Sequence, residues 1–461
     1  MASGGLYMTN KVKDFMASNT VNTMQGRRTA SIGAVLVKRG LPLLAAMAVA
    51  PAMAGNGPWL FGDQDGIRGN LKERGFDFDV SLHDETMHNI DGGDHSTTRS
   101  AGQINFGATL DLERLMNWKG GTFQVTMDKR YGENLADEAS LGTAMGPHEI
   151  WGRGQTWWLT NFYLDQQFGK HFNVRVGKMP MGSEFGYNQC DFLNLSACGS
   201  QIGNMEGRYW LNWPIGTWGA RFRFDMTQST HIKLGVYQMN PNYTDDAWVK
   251  DNAWKVINPS GTTGAVIPLE FNWTPKFAGL GGDYRFGVWT STAGGDDLYY
   301  NEAGMPRGIE GGVAKHRNRS HGGYISAQQQ ITGDADGTGL HAFFNIGRAD
   351  ASTARWDRSL ATGVIYRHLP WRPADNAGVM FATTAASEQY TRFAREYNAA
   401  NPNDKLPVSA GSEKVVEVFY QWQPTSWLSL RPSVQYIARP GGREGSDGDA
   451  VLVGLKTDVT F

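Results

Sequence analysis

Hydrogen-bonding and charged residues recur two positions apart along this 461-residue chain. Gln124, Thr126, Asp128 and Arg130 form one such row, Asn161, Tyr163 and Asp165 a second, and Arg221, Arg223 and Asp225 a third, with Arg175 in a similar setting. A spacing of two puts side chains on one face of an extended strand. Arginine alternating with carboxylate on that face offers donors and acceptors for vicinal hydroxyls, and Trp157 adds a flat apolar surface that can stack on a sugar ring. The chemistry this suits is weak binding of a neutral, hydroxyl-rich solute, loose enough to let it leave. Each inward arginine also suits a salt bridge that merely keeps a wall polar. Arg130 is the leading candidate on the sugar-binding side. No Gly-x-Ser-x-Gly elbow, phosphate loop or His-Glu-x-x-His helix occurs and the ten histidines are scattered, so no enzymatic activity is expected.

The elements that would carry these rows are membrane β-strands. Mean hydropathy is −0.42 with 19% charged residues, too apolar for disorder. Only the stretch 41–54 approaches the length of a spanning helix, and Pro42 and Pro51 break it. From Gly75 onward the pattern alternates with period two: Phe76, Phe78, Val80 and Leu82 oppose Asp77, Asp79, Ser81 and His83. Fourteen further segments follow, near 101–112, 121–131, 156–167, 172–180, 217–225, 231–238, 265–274, 282–292, 323–332, 339–347, 359–368, 377–385, 414–423 and 427–438. The last strand runs to Phe461, with Val451, Val453, Leu455, Thr457 and Val459 on one face. Sixteen strands, with short links such as 168–171 and 226–230 alternating with long ones such as 132–155 and 181–216, predict an all-β, antiparallel transmembrane barrel with short periplasmic turns and long outer loops. Closure removes strand edges that lipid could not satisfy. Trp118, Trp273, Trp371, Trp422 and Trp427 stand near strand ends, as expected of rings at membrane interfaces.

Residues 1–54 read as a signal peptide, with Lys38-Arg39, a short apolar run and Ala52-Met53-Ala54 before the cleavage point; Met24 is an alternative start. That segment carries +5, which leaves the exported part near −7 and gives no basic field for nucleic acid. Residues 55–74 form a periplasmic pre-barrel segment, with a short helix after Asp65 or a plug as its candidate roles, and 75–461 the barrel. After export Cys190 and Cys198 meet an oxidising compartment, which points to a loop-closing disulfide. They lie in 181–216, the third outer loop, which is the candidate constriction in a barrel this wide. Within it Glu184, Asp191, Asn194, Gln201 and Arg208 either face the solute or are solvated at the surface. No cofactor is expected; calcium at Asp245-Asp246, Asp296-Asp297 or Asp334 with Asp336 is the minor candidate, since loop acids are more often only solvated.

Several ordered blocks resemble the carbohydrate-selective porin family of the OprB type. They include Leu60-Phe61-Gly62-Asp63-Gln64-Asp65-Gly66-Ile67-Arg68, where Gln64 and Asp65 replace the family's usual Trp and Gly, and Arg130-Tyr131-Gly132-Glu133-Asn134-Leu135. Arg175-Val176-Gly177-Lys178-Met179, the cysteine loop through Gln201, Trp213-Pro214 with Trp218-Gly219-Ala220, and the stretch from Glu417 through Pro440-Gly441-Gly442 to Phe461 continue the match. The resemblance implies a passive diffusion channel for sugars, of the glucose type, in a Gram-negative outer membrane, and the terminal Phe461 resembles a sorting signal read by the barrel-assembly machinery. Small sugars and outer-membrane lipid are then the expected partners. General porins of this strand number are commonly trimers, which makes a homotrimer a candidate assembly, although no outward face is polar enough to mark an interface. The alternatives are a porin for anions or other small solutes, and a plugged structural or adhesive barrel.

Overall fold

The computed structural model describes residues 57–461 apart from 187–188, 206, 257–259 and 446–447, so the expected signal peptide lies outside the described residues. Sixteen strands form the wall: β1 (Phe76–Asp91), β2 (Thr98–Asp111), β3 (Gly121–Gly132), β4 (Trp157–Phe168), β5 (Phe172–Met179), β6 (Thr217–Asp225), β7 (Thr230–Met239), β8 (Gly264–Trp273), β9 (Leu280–Ser291), β10 (Ser320–Gln330), β11 (Gly339–Ala349), β12 (Trp356–Arg367), β13 (Asn376–Ala386), β14 (Ser412–Thr425), β15 (Leu428–Ala438) and β16 (Ala450–Thr460). Each pairs antiparallel with the next, and β1 pairs with β16 from Ser81↔Thr460 to Asp91↔Val451, which closes the barrel. All sixteen sequence segments overlap these strands. β1 runs further than its apolar alternation, to Asp91, because its far half is polar on both faces.

One rim carries short turns, from two residues at 426–427 to nine at 112–120. The opposite rim carries the long connections 133–156, 180–216, 240–263, 292–319 and 387–411, together with one of eleven residues at 439–449 and two of only six, at 92–97 and 350–355. All five tryptophans expected at interfaces stand at the short-turn rim, which makes them one girdle and not two. Outward positions such as Phe106, Val288, Phe381 and Val434 leave an apolar surface all around, the face that strands present to lipid. No helix among the described residues is long and apolar enough to cross a membrane.

The packed core is inside the barrel, where the long loops fold down onto the wall. Phe192 of the loop 180–216 packs edge-on against Phe419 at 4.9 Å and meets Phe343 at 5.7 Å. A second cluster joins Phe185 and Trp210 to the wall residues Tyr237, Trp289 and Tyr324. Burying several aromatics this way fixes the loop against the wall, at roughly 1.5–3 kcal/mol per fully buried side chain. The pre-barrel segment docks at the short-turn rim beside the closing seam. Its helix Ile67–Glu73 presents Arg68, whose guanidinium donates to the carbonyls of Phe461 at 2.6 Å and Phe78 at 2.8 Å. Leu60 N–H donates to Thr460 O and Lys72 pairs with Asp77 at 2.8 Å, so this segment is tied to the end of β16 and the start of β1.

Candidate functional site

The inward rows meet two different fates inside the barrel. On β4 to β6, Asp165, Arg175 and Arg221 are turned inward as their parity requires, but the loop 180–216 lies directly on them. Glu184 from that loop pairs with Arg175 and, at 3.0 Å, with Arg221; Asp165 pairs with Arg175 at 2.6 Å and Arg221 at 3.3 Å. Arg175 also stacks on Tyr163 at 4.3 Å. These groups are satisfied by each other. Arg223 pairs with Asp225 at 2.7 Å near the short-turn end, and Asn161 donates to Thr126 across the wall.

Wall carboxylates hold the loops from below. Glu417 accepts from the Leu193 and Asn194 N–H at 2.8 and 3.0 Å, and Glu270 accepts from Gly186 N–H at 2.7 Å and the Tyr324 hydroxyl at 2.6 Å. Glu413 does the same for the second outer loop, 133–156, through the Ala144 and Met145 N–H. Asp191 is held by Arg367 at 3.0 Å, and Arg208 donates to Thr353 O, so neither is simply solvated at the surface. Asn194 donates to Gln435, and Gln201 accepts from the Ser359 hydroxyl. Cys190 and Cys198 are joined as a disulfide, with Cα atoms 4.3 Å apart.

The other half of the lumen stays open. A cavity of about 1100 Å³ lies between the second and third outer loops, the connection 240–263 and the walls of β1 to β3, β15 and β16. Of the path residues expected from sequence, it is lined by Arg130 alone. Arg130 is 4% exposed; its Nε donates to Gln103 at 2.8 Å and one terminal nitrogen to Trp151 O at 3.3 Å, which holds the guanidinium in one orientation. Facing it are Glu149 and Arg153 from the second loop, which the sequence reading missed. Glu149 is drawn to Lys456 of β16 at 2.6 Å, and Lys456 in turn pairs with Glu85 at 3.1 Å. His83, Asp458 and Arg431 complete the charged lining, with His83 on Asp458 at 2.7 Å.

Arg153 is placed by unusual backbone. Gly152, Arg153, Gly154 and Gln155 all have positive φ, at 101°, 67°, 77° and 47°. Two non-glycine residues in that region are costly, and such strain concentrates at functional sites. A Cβ on Gly154 would stand 2.5 Å from Val249, so the turn requires glycine for space as well. The Trp-Gly-Arg-Gly-Gln string was the signal available in sequence.

Trp157 departs from its expected place. β3 pairs Thr126 with Asn161 but Met127 with Leu159, so Thr160 is an extra residue in β4. A one-residue bulge reverses facing beyond it. Trp158 therefore points inward and is fully buried, while Trp157 is 39% exposed and packs on the outward Phe106 at 6.0 Å. It belongs to the outer surface at the long-loop rim.

The cavity lining balances. Arg130, Arg153, Arg431 and Lys456 give four cations, and Glu149, Asp245, Asp246 and Asp458 give four anions. Trp151, Trp213 and Tyr243 add ring faces. A field of neither sign, with fixed donors, acceptors and aromatic surface, suits a neutral hydroxylated solute better than an anion. Of the acids raised as calcium candidates, Asp245 accepts from the Ala247 and Trp248 N–H, Asp297 pairs with Arg317, and Asp336 accepts from Thr338 N–H.

The comparisons agree with this architecture. The family model described as carbohydrate-selective porin, OprB family, matches residues 95–461. Porin B of Pseudomonas aeruginosa is 35% identical over 450 residues, covering 94% of this chain and 97% of its own length. The high-pH structure of Pseudomonas putida OprB is similar with a TM-score of 0.84 and 33% identity, covering 89% of this chain and 100% of that one.

Proposed function

The chain belongs to the OprB family of carbohydrate-selective porins, multi-pass β-barrels of the Gram-negative outer membrane, and from that premise we propose that glucose-type sugars cross it through the cavity between the second and third outer loops. The observation that carries this reading is the cavity lining, charge-balanced and rich in oriented donors and acceptors. Arg130 and Arg153 donate to neighbouring hydroxyls, Glu149 accepts from them, and Trp151, Trp213 or Tyr243 covers the apolar face of the ring. Passage is passive, with no chemical step. The sugar exchanges water for these groups at the narrowest point and leaves because each contact is weak. The disulfide-closed loop and its wall carboxylates keep that point at one width.

Single-channel conductance of the refolded chain in a planar bilayer, titrated with glucose, tests this reading. Glucose is expected to reduce the current saturably, and Arg130→Ala to weaken that effect. A conducting pore indifferent to sugar, with reversal potentials shifted toward the anion, would overturn it in favour of an anion channel. Absence of conductance would favour a plugged barrel.

A further inference from the structure

The outer wall is concave between β7 and β11. A groove of about 560 Å³ runs there over Phe271, Phe286, Val288, Ile325 and Ile346. It exists because an outward position has no side chain. Gly323 lies directly across from Val288 on one side and Arg348 on the other, and Arg348 is paired in turn with Arg358. Phe286, Val288, Ile325 and Ile346 are all exposed on this face, which confirms that the row looks outward.

Two arginines directly opposite on adjacent strands repel one another unless an anion lies between them. Arg358 has Asp357 at 3.1 Å and donates to Ala386 O at 3.2 Å. Arg348 has no hydrogen bond or ion pair among the described residues, although it lines the end of the groove. The nearby His321 is exposed and turned to Asp350 at 3.3 Å, so it does not neutralise the pair. Arg348 is one residue from the end of β11, beside the six-residue connection 350–355. That rim carries the long loops and faces the cell exterior in this family's orientation. The arginine pair therefore stands at headgroup depth of the outer leaflet, with the apolar groove running below it.

We propose that this face binds a phosphorylated, acylated glycolipid of the outer leaflet, its phosphate between Arg348 and Arg358 and one acyl chain in the groove over Gly323. Planar guanidinium groups from neighbouring strands suit a phosphate's geometry, and a groove with a cationic mouth matches an amphiphile with an anionic head.

The test is titration of the folded full chain in detergent micelles with lipid A bisphosphate, with its dephosphorylated form and with inorganic phosphate, read by native mass spectrometry. The phosphorylated lipid is expected to bind at least about tenfold more tightly than the dephosphorylated one. Arg348→Gln combined with Arg358→Gln should remove that preference, and Ile346→Trp, which narrows the groove, should weaken both lipids. Single-channel conductance should be unchanged in all variants, because these side chains lie outside the lumen. Equal binding of the two lipids by the unaltered chain overturns the proposal without recourse to any variant. Retention of the preference in the double variant overturns it too, as does binding of inorganic phosphate as tightly as the lipid, which would mark a free-anion site.

Discussion

Arg175 with Arg221, on β5 and β6, and Arg130, on β3, all point inward from the wall of one barrel, yet they do different work. Around the first two, the third outer loop lies on the wall and Glu184 and Asp165 use up the charge. Arg130 is just as buried, but no carboxylate caps it: Gln103 and Trp151 O of the second loop orient its guanidinium, which lines the open cavity. Strand parity tells which way a side chain points. Whether a solute meets it depends on whether a loop has covered it first, and that is a long-range property.

The contrast can be broken most forcefully in the covered half. Glu184→Ala removes the shared partner of two partly buried arginines, and thermal unfolding should report a loss of about 3–5 kcal/mol. If stability barely changes while sugar block collapses, Glu184 belongs to the solute path and the two halves are not distinct.

A pH dependence of the second loop comes next. His148 in that loop is 1% exposed, and burial pushes its imidazole from 6.5 down to about 3. Below pH 6.5 the unfolded chain takes up a proton that the folded one refuses, so stability falls as pH drops from 6.5 toward 3 and levels off beneath. The slope is about 1.4 kcal/mol per pH unit at most. Unfolding measured at pH 7, 6 and 5 should show it, and His148→Gln should flatten it; an unaltered slope in that variant would assign the effect to other groups.

In the open half, Arg130→Ala should weaken glucose block about tenfold, equivalent to about 1.4 kcal/mol, while thermal stability shifts less than for Glu184→Ala. The smallest effect sharpens the boundary from outside. Trp157→Ala, on the lipid-facing surface, should leave glucose block unchanged and cost about 1 kcal/mol or less of stability; a weakened block would return Trp157 to the lumen.

The wall itself was legible from sequence because its signal is local. Alternation of Phe76 to Leu82 with Asp77 to His83 needs only neighbouring residues, and it located all sixteen strands. Parity also oriented Arg130, Arg175 and Arg221 correctly. It failed at Trp157 because one extra residue at Thr160 reverses every facing beyond it, and a bulge leaves no mark in a pattern already mixed with Trp-Trp-Leu-Thr. Glu149 and Arg153 escaped the alternation for another reason. They sit in a loop without period, and four successive positive φ angles, not alternation, aim Arg153. The covering of Arg175 and Arg221 was hidden because it depends on where a 37-residue connection comes to rest.

The ties at the seam bear on how this chain comes to exist. One edge of β1 is paired by β2, the other only by β16, and of the two carbonyls that hold Arg68 one is that of Phe461. Until β16 is in place, that edge of the first strand is naked and Arg68 lacks one of its two acceptors. A chain that lacks β16 thus remains recognisably unfinished, open to an escort that holds it or a protease that removes it.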